Sequence, residues 1–229
     1  MDQNANQQQE ANTPMPHLQG FHYRATSTTD TRPPLLLLHG SSRDETELPP
    51  LAETAAPGWP YLSLRGPIPW ESGYAFFRRN PDRSLDQADL ALQTERLHTF
   101  IQAAIETGLI TRPPILLGFS NGAIIAASLM IRDPDIAAGA ILIRPLSPDP
   151  DAIVPHMPTK PVLILSGDRD DRRSTEDATR ITRQFQAAGA DVTSHSSPTD
   201  HNLHEDEPAI IGQWLASRVF PLAHTRPPL

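Results

Sequence analysis

Four consecutive leucines, Leu35-Leu36-Leu37-Leu38, stand between Pro33-Pro34 and His39-Gly40. A strand with one wet face alternates apolar and polar residues. An unbroken apolar run too short for a helix and bounded by chain breakers instead suits a strand covered on both faces. Similar short runs recur at 61–64, 115–117, 140–143, 162–165 and, more weakly, 190–194, and 21–25 reads as a short edge strand. Helix-like segments lie between them, at 48–55, 85–106, 120–131, 175–188 and 208–219. Strands alternating with helices predict an α/β fold, a mainly parallel sheet with helices on both faces. At 229 residues the chain suffices for one such domain, expected over 17–222. Residues 1–16, dominated by Asn, Gln and Pro, read as a disordered tail, and 223–229 as a loose C-terminal one.

Local signals refine this frame. Gly189 after 185–188 is a plausible helix C-cap, and Ser84 with Gln87 resembles a capping box opening the long helix. Leu90, Leu97 and Ile101, with Leu92 nearby, form either that helix's core-facing stripe or an exposed face that would support a homodimer. Residues 66–82 are less regular, with Pro67, Pro69, Gly73 and Pro81 punctuating Trp70, Tyr74, Phe76 and Phe77. Aromatic residues in such a segment either line a substrate pocket, here Trp70, Phe76 and Phe77, or pack the loop down on itself.

Composition removes several function classes. The net charge of −8 would on average repel a phosphate backbone or an anionic membrane, so no nucleic-acid partner is expected. Lys160 is the only lysine among 19 basic residues. Arginine pairs such as Arg78-Arg79 and Arg172-Arg173 read as solvated faces. With no cysteine there is no disulfide, thiolate metal site or cysteine nucleophile. Without a secretory signal or a membrane-span run of about 18 apolar residues, a cytoplasmic protein is the expectation.

The chemistry concentrates at Gly118-Phe119-Ser120-Asn121-Gly122, between the apolar run 115–117 and the helix-like 123–131. In a G-x-S-x-G strand-to-helix turn the serine sits at a cramped corner that only glycine neighbours permit, and the following helix directs its amides at the serine oxygen. A serine hydroxyl also needs a histidine to take its proton and a carboxylate to orient that histidine. The run 161–166 leads into Gly167-Asp168-Arg169-Asp170-Asp171, and Asp200-His201-Asn202-Leu203 precedes the last helix, giving the chain order Ser, Asp, His. Asp168, Asp170 and Asp171 compete for the acid, and His204 competes with His201. Arg144, after the run 140–143, would point at the same sheet edge, toward an anionic substrate group or a protein carboxylate. His201, His204 and Glu205 could share a metal on one helix turn, but no other ligand spacing repeats. The third glycine of a dinucleotide fingerprint and a Gly-Lys-Ser/Thr phosphate loop are both absent, so neither metal nor cofactor is expected.

From about Pro33 to Val219 the sequence resembles the α/β-hydrolases of the phospholipase/carboxylesterase group, particularly their small bacterial carboxylesterases. Leu35 to Ser41, Phe77-Arg78-Arg79, Gly118 to Ala123 with Ala126-Ala127-Ser128, Gly167-x-x-Asp170 and His201-Asn202-Leu203 carry the likeness. The resemblance implies a serine carboxylesterase of α/β-hydrolase fold without a large cap domain, acting on a small-molecule ester. It makes Ser120 the nucleophile, His201 the base and Asp170 its partner, and it puts the oxyanion donors at the backbone N–H groups of Asn121 and Ser41, with Ser42 as the alternative. His39 is expected to brace the oxyanion loop. An open pocket for short acyl groups, thioesters or lysophospholipids as variant substrates, acyl transfer or perhydrolysis on the same site, and a catalytically silent binding protein complete the expectations.

Overall fold

The computed structural model describes residues 15–26 and 30–219. Most of the two expected tails therefore lies outside the described residues. Eight strands form one sheet in the order β1-β2-β4-β3-β7-β8-β9-β10. They are β1 (His17–Leu18), β2 (Phe21–Ala25), β3 (Leu35–Leu38), β4 (Tyr61–Leu64), β7 (Ile115–Phe119), β8 (Gly139–Ile143), β9 (Pro161–Gly167) and β10 (Asp191–Ser197). From β4 to β10 every pairing is parallel, while β1 and β2 are antiparallel additions at one edge.

The four leucines of β3 are all buried and divide by alternation. Leu36 and Leu38 join the core beneath α2 (Gln87–Glu106), α3 (Asn121–Arg132) and α4 (Thr175–Ala187). Leu35 and Leu37 join the second core, beneath α1 (Pro49–Ala55) and α5 (Glu207–Trp214). This two-sided burial is what the continuous apolar run encodes. Leu90, Leu97 and Ile101 of α2 face the first core, so the stripe is core-facing, and Leu92 alone of that set is exposed.

Three local expectations are corrected. The long helix starts at Gln87, not 85, and its N-cap is Asp86, which accepts from the Asp89 amide, whereas Ser84 bonds Asp82 and Asn80. Residues 66–82 are not wholly irregular: β5 (Ile68–Trp70) and β6 (Gly73–Ala75) form a separate hairpin. The last helix passes into a π-turn at Leu215–Val219. Gly189, at φ +93°, ends α4 as expected.

The chain moves from β3 to β4 on one side and to β7 on the other, so the loops after β3 and β7 diverge between two adjacent parallel strands. A crevice at the carboxyl edge of the sheet results, where such sheets place their ligands. No described helix is long and apolar enough to cross a membrane.

Candidate active site

Ser120 follows the last residue of β7 and precedes the first of α3, at φ 52° and ψ −104°. Left-handed backbone is costly for a residue with a Cβ and persists only where its surroundings enforce it. Here Gly122 is part of the enforcement. A Cβ on it would stand 1.9 Å from the Leu38 carbonyl oxygen, so the elbow can pack on β3 only without a side chain there. The Gly122 amide donates to the His39 carbonyl at 3.1 Å, and the Ser120 amide to Ile143 at 2.9 Å.

Ser120 Oγ lies 2.8 Å from His201 Nε2, and His201 Nδ1 lies 2.8 and 3.0 Å from the two oxygens of Asp170. The carboxylate can only accept, so Nδ1 carries the proton, Nε2 is the acceptor, and the serine hydroxyl donates to it. Asp170, 1% exposed in its side chain, is clamped by the amides of Arg172 at 2.8 Å and Arg173 at 3.0 Å. Burial pushes the His201 pKa below its ordinary value, against the opposing pull of Asp170. The imidazole is therefore neutral and ready to accept a proton at neutral pH.

The geometry distinguishes the competing residues. Asp168 is exposed beside Arg169, and Asp171 is exposed. His204 faces Asp206 at the start of α5. The acid and histidine loops are laced together, Arg169 N–H to Thr199 at 3.1 Å and Asp168 N–H to Ser197 at 3.0 Å. Gly167 allows this crossing, since a Cβ there would lie 2.4 Å from the Thr199 carbonyl oxygen.

The amides near Ser120 separate in the same way. Gly40 N–H is held by Glu47 at 2.7 Å and Ser42 N–H by the Tyr74 carbonyl at 2.9 Å. Among the described residues no acceptor takes the amides of Ser41 or Asn121. His39 is buried and braces this loop: Nδ1–H donates to the Gly40 carbonyl at 2.6 Å, and Nε2 accepts from Gly66 N–H at 2.8 Å. Its pKa is lowered to about 4, chiefly by burial.

The residues expected to line a pocket differ in burial. Phe76 and Phe77 are 0% and 1% exposed and belong to the core. The Asn121 side chain clamps their backbone against the elbow, Oδ1 accepting from Phe76 N–H at 2.8 Å and Nδ2 donating to the Phe77 carbonyl. Trp70 is half-buried in the β5–β6 hairpin, which steadies the oxyanion loop through Ser42–Glu71 and Arg43–Tyr74 contacts. Arg144 is 1% exposed and is bonded within the protein. It pairs with Glu207 at 2.6 Å and donates to the carbonyls of Asn202 at 2.7 Å and Asp200 at 3.3 Å, holding the histidine loop from below. Arg172-Arg173 read in the sequence as a solvated pair, yet Arg173 Nη2 lies 3.4 Å from Ser120 Oγ. Its position three residues after Asp170 was the available signal.

A mainly parallel sheet with a serine elbow, an acid turn and a histidine loop at its carboxyl edge is the architecture of an α/β-hydrolase. No family model matches the sequence. A protein of Bacillus subtilis (strain 168) named as a hydrolase, MhqD, is 33% identical over 186 residues, covering 81% of this chain and 93% of that one. The Bacillus cereus carboxylesterase structure matches with a TM-score of 0.82 at 30% identity, covering 93% of this chain and 99% of its own. A carboxylesterase from Mesorhizobium loti matches with a TM-score of 0.81 at 32% identity, covering 90% and 99%. The chain belongs to the α/β-hydrolases of the phospholipase/carboxylesterase group and is a carboxylesterase-type hydrolase.

Proposed function

We propose that the protein is a serine carboxylesterase that hydrolyses small carboxylic esters through an acyl-enzyme. The observation that carries this is the Ser120–His201–Asp170 chain of hydrogen bonds, 2.8 Å at each of its two links. Ser120 Oγ attacks the ester carbonyl carbon as its proton passes to His201 Nε2, and Asp170 stabilises the imidazolium that forms. The carbonyl oxygen, now an oxyanion, accepts from the amides of Ser41 and Asn121. As the intermediate collapses, the bond to the alcohol oxygen breaks and His201 returns the proton to that oxygen. Water attacks the acyl-enzyme with the same histidine as base, and the acid leaves with Ser120 restored. Thioesters and lysophospholipids present the same acyl carbonyl and are variant substrates of this scheme.

The test is reaction of the purified protein with a fluorophosphonate, location of the adduct by peptide mass spectrometry, and turnover of aryl esters of increasing acyl length, with Ser120→Ala as control. Labelling at Ser120 and turnover should vanish together in the variant. Folded protein that neither labels nor turns over any ester would refute the reading and leave a silent ligand-binding protein in its place.

A further inference from the structure

Arg173 reaches Ser120 from the same turn that holds the relay acid. Its Nε donates to the Arg144 carbonyl at 3.2 Å, its Nη1 to the Arg172 carbonyl at 2.8 Å, and its Nη2 points at Ser120 Oγ from 3.4 Å. A guanidinium carries five N–H donors. These contacts use three, and one donor on each terminal nitrogen is left over.

The charge is unmatched as well. Arg144, whose carbonyl Arg173 contacts, has a carboxylate partner in Glu207. Arg173 has no ion pair among the described residues. Asp170 attracts it at a distance but is already engaged by two amides and His201, and Asp177, which also attracts it, accepts from the Ser174 amide.

Arg79 repeats the pattern. The Asn121 clamp on Phe76 and Phe77 fixes the chain two residues before it against the elbow. Arg79 donates to the Arg83 carbonyl at 2.7 Å and likewise has no carboxylate partner among the described residues. Burial, then repulsion from Arg173 and Arg83, pushes its pKa down to about 10, and burial lowers that of Arg173. Two partly buried guanidiniums that repel each other, one of them 3.4 Å from Ser120 Oγ, are unfavourable without a counter-ion. They become favourable when a ligand brings a planar anion that their forked donors fit.

We propose that Arg173 and Arg79 form a carboxylate subsite beside Ser120, so that the preferred substrate is an ester bearing a carboxylate on its acyl or alcohol part. The inference rests on the serine-esterase reading above. A neutral ester leaves both guanidiniums without a carboxylate when it is bound, and a site built to bond a polar group discriminates against the analogue that lacks it.

The experiment compares kcat/KM within two matched pairs: p-nitrophenyl hydrogen adipate against p-nitrophenyl hexanoate, and m-acetoxybenzoate against m-tolyl acetate. The wild type should prefer the anionic member of at least one pair by about tenfold to a hundredfold, the worth of hydrogen bonds to charged groups. Arg173→Gln and Arg79→Gln should each reduce that ratio, and Arg79→Lys should retain more of it than Arg79→Gln. The ratio cancels any general loss of activity. In unmutated protein, free adipate should compete against the neutral ester. Equal or faster turnover of the neutral member in both pairs, a ratio unmoved in both glutamine variants, or no competition by adipate would overturn the subsite. Fluorophosphonate labelling of Ser120 with turnover of neutral esters in that event would leave the esterase reading standing. Absence of both label and turnover would remove the esterase reading and this inference together.

Discussion

Acidification should loosen the oxyanion loop through His39, a residue the chemistry does not use. Both ring nitrogens are engaged in the neutral form, Nδ1–H to Gly40 and Nε2 from Gly66 N–H. Protonation at Nε2 would set two donors against each other at a buried position. Burial depresses the folded pKa from 6.5 to about 4. Between these values the unfolded chain binds a proton that the folded chain refuses, so stability falls as pH drops below 6.5 and the loss is complete near pH 4. The interval is worth about 3 kcal/mol in full, at about 1.4 kcal/mol per pH unit. From pH 7 to pH 5 it is worth about 2 kcal/mol. Burial also lowers the His201 pKa and adds to the fall with the same sign, so the wild type alone is not diagnostic. The assay is urea unfolding of wild type and His39→Gln at both pH values. The stability advantage of the wild type should shrink by about 2 kcal/mol at pH 5. An advantage independent of pH, or a His39 imidazole that titrates by NMR near 6.5, would refute the reasoning.

Further outcomes follow from the same geometry. The acid limb of kcat/KM should lie below pH 6.5, because His201 must be neutral to act and its pKa is lowered by burial; a limb above 6.5 would contradict this. Asp170→Asn should lower kcat by about 10³–10⁴-fold while thermal unfolding and fluorophosphonate-site geometry change little, as expected when a histidine loses the acceptor that fixes its tautomer. Gly122→Ala should destabilise by about 3 kcal/mol or more in chemical denaturation, since its Cβ would meet the Leu38 carbonyl at 1.9 Å. Glu207→Ala should cost about 3–5 kcal/mol by leaving Arg144 charged and buried, measured by the same unfolding assay.

The parts of the molecule readable from the sequence were those with a local pattern. Leu35 to Leu38 announced a strand buried on both faces because such burial removes the need for alternation. The elbow at Gly118–Gly122 was legible because a backbone approach of that closeness tolerates only glycine. The hairpin at Ile68–Trp70 and Gly73–Ala75 was missed because prolines and a glycine broke its pattern, and its register depends on the oxyanion loop packed against it. Arg144 read as pointing to the sheet edge toward a substrate anion or a protein carboxylate because it follows a strand there, and the structure gives the carboxylate. Only tertiary structure supplies Glu207, 63 residues later, to draw it inward. Arg172-Arg173 read as solvated because a dipeptide carries no sign of which member the acid turn will point at Ser120.

The Arg144–Glu207 pair also makes the position of His201 depend on the last helix. The loop that carries His201 hangs from Arg144, and Arg144 is held in turn by a carboxylate at the first residue of that helix. A shift of the helix against the sheet is therefore passed to the imidazole through one guanidinium, although the helix contributes no side chain to the Ser120–His201–Asp170 chain of hydrogen bonds itself.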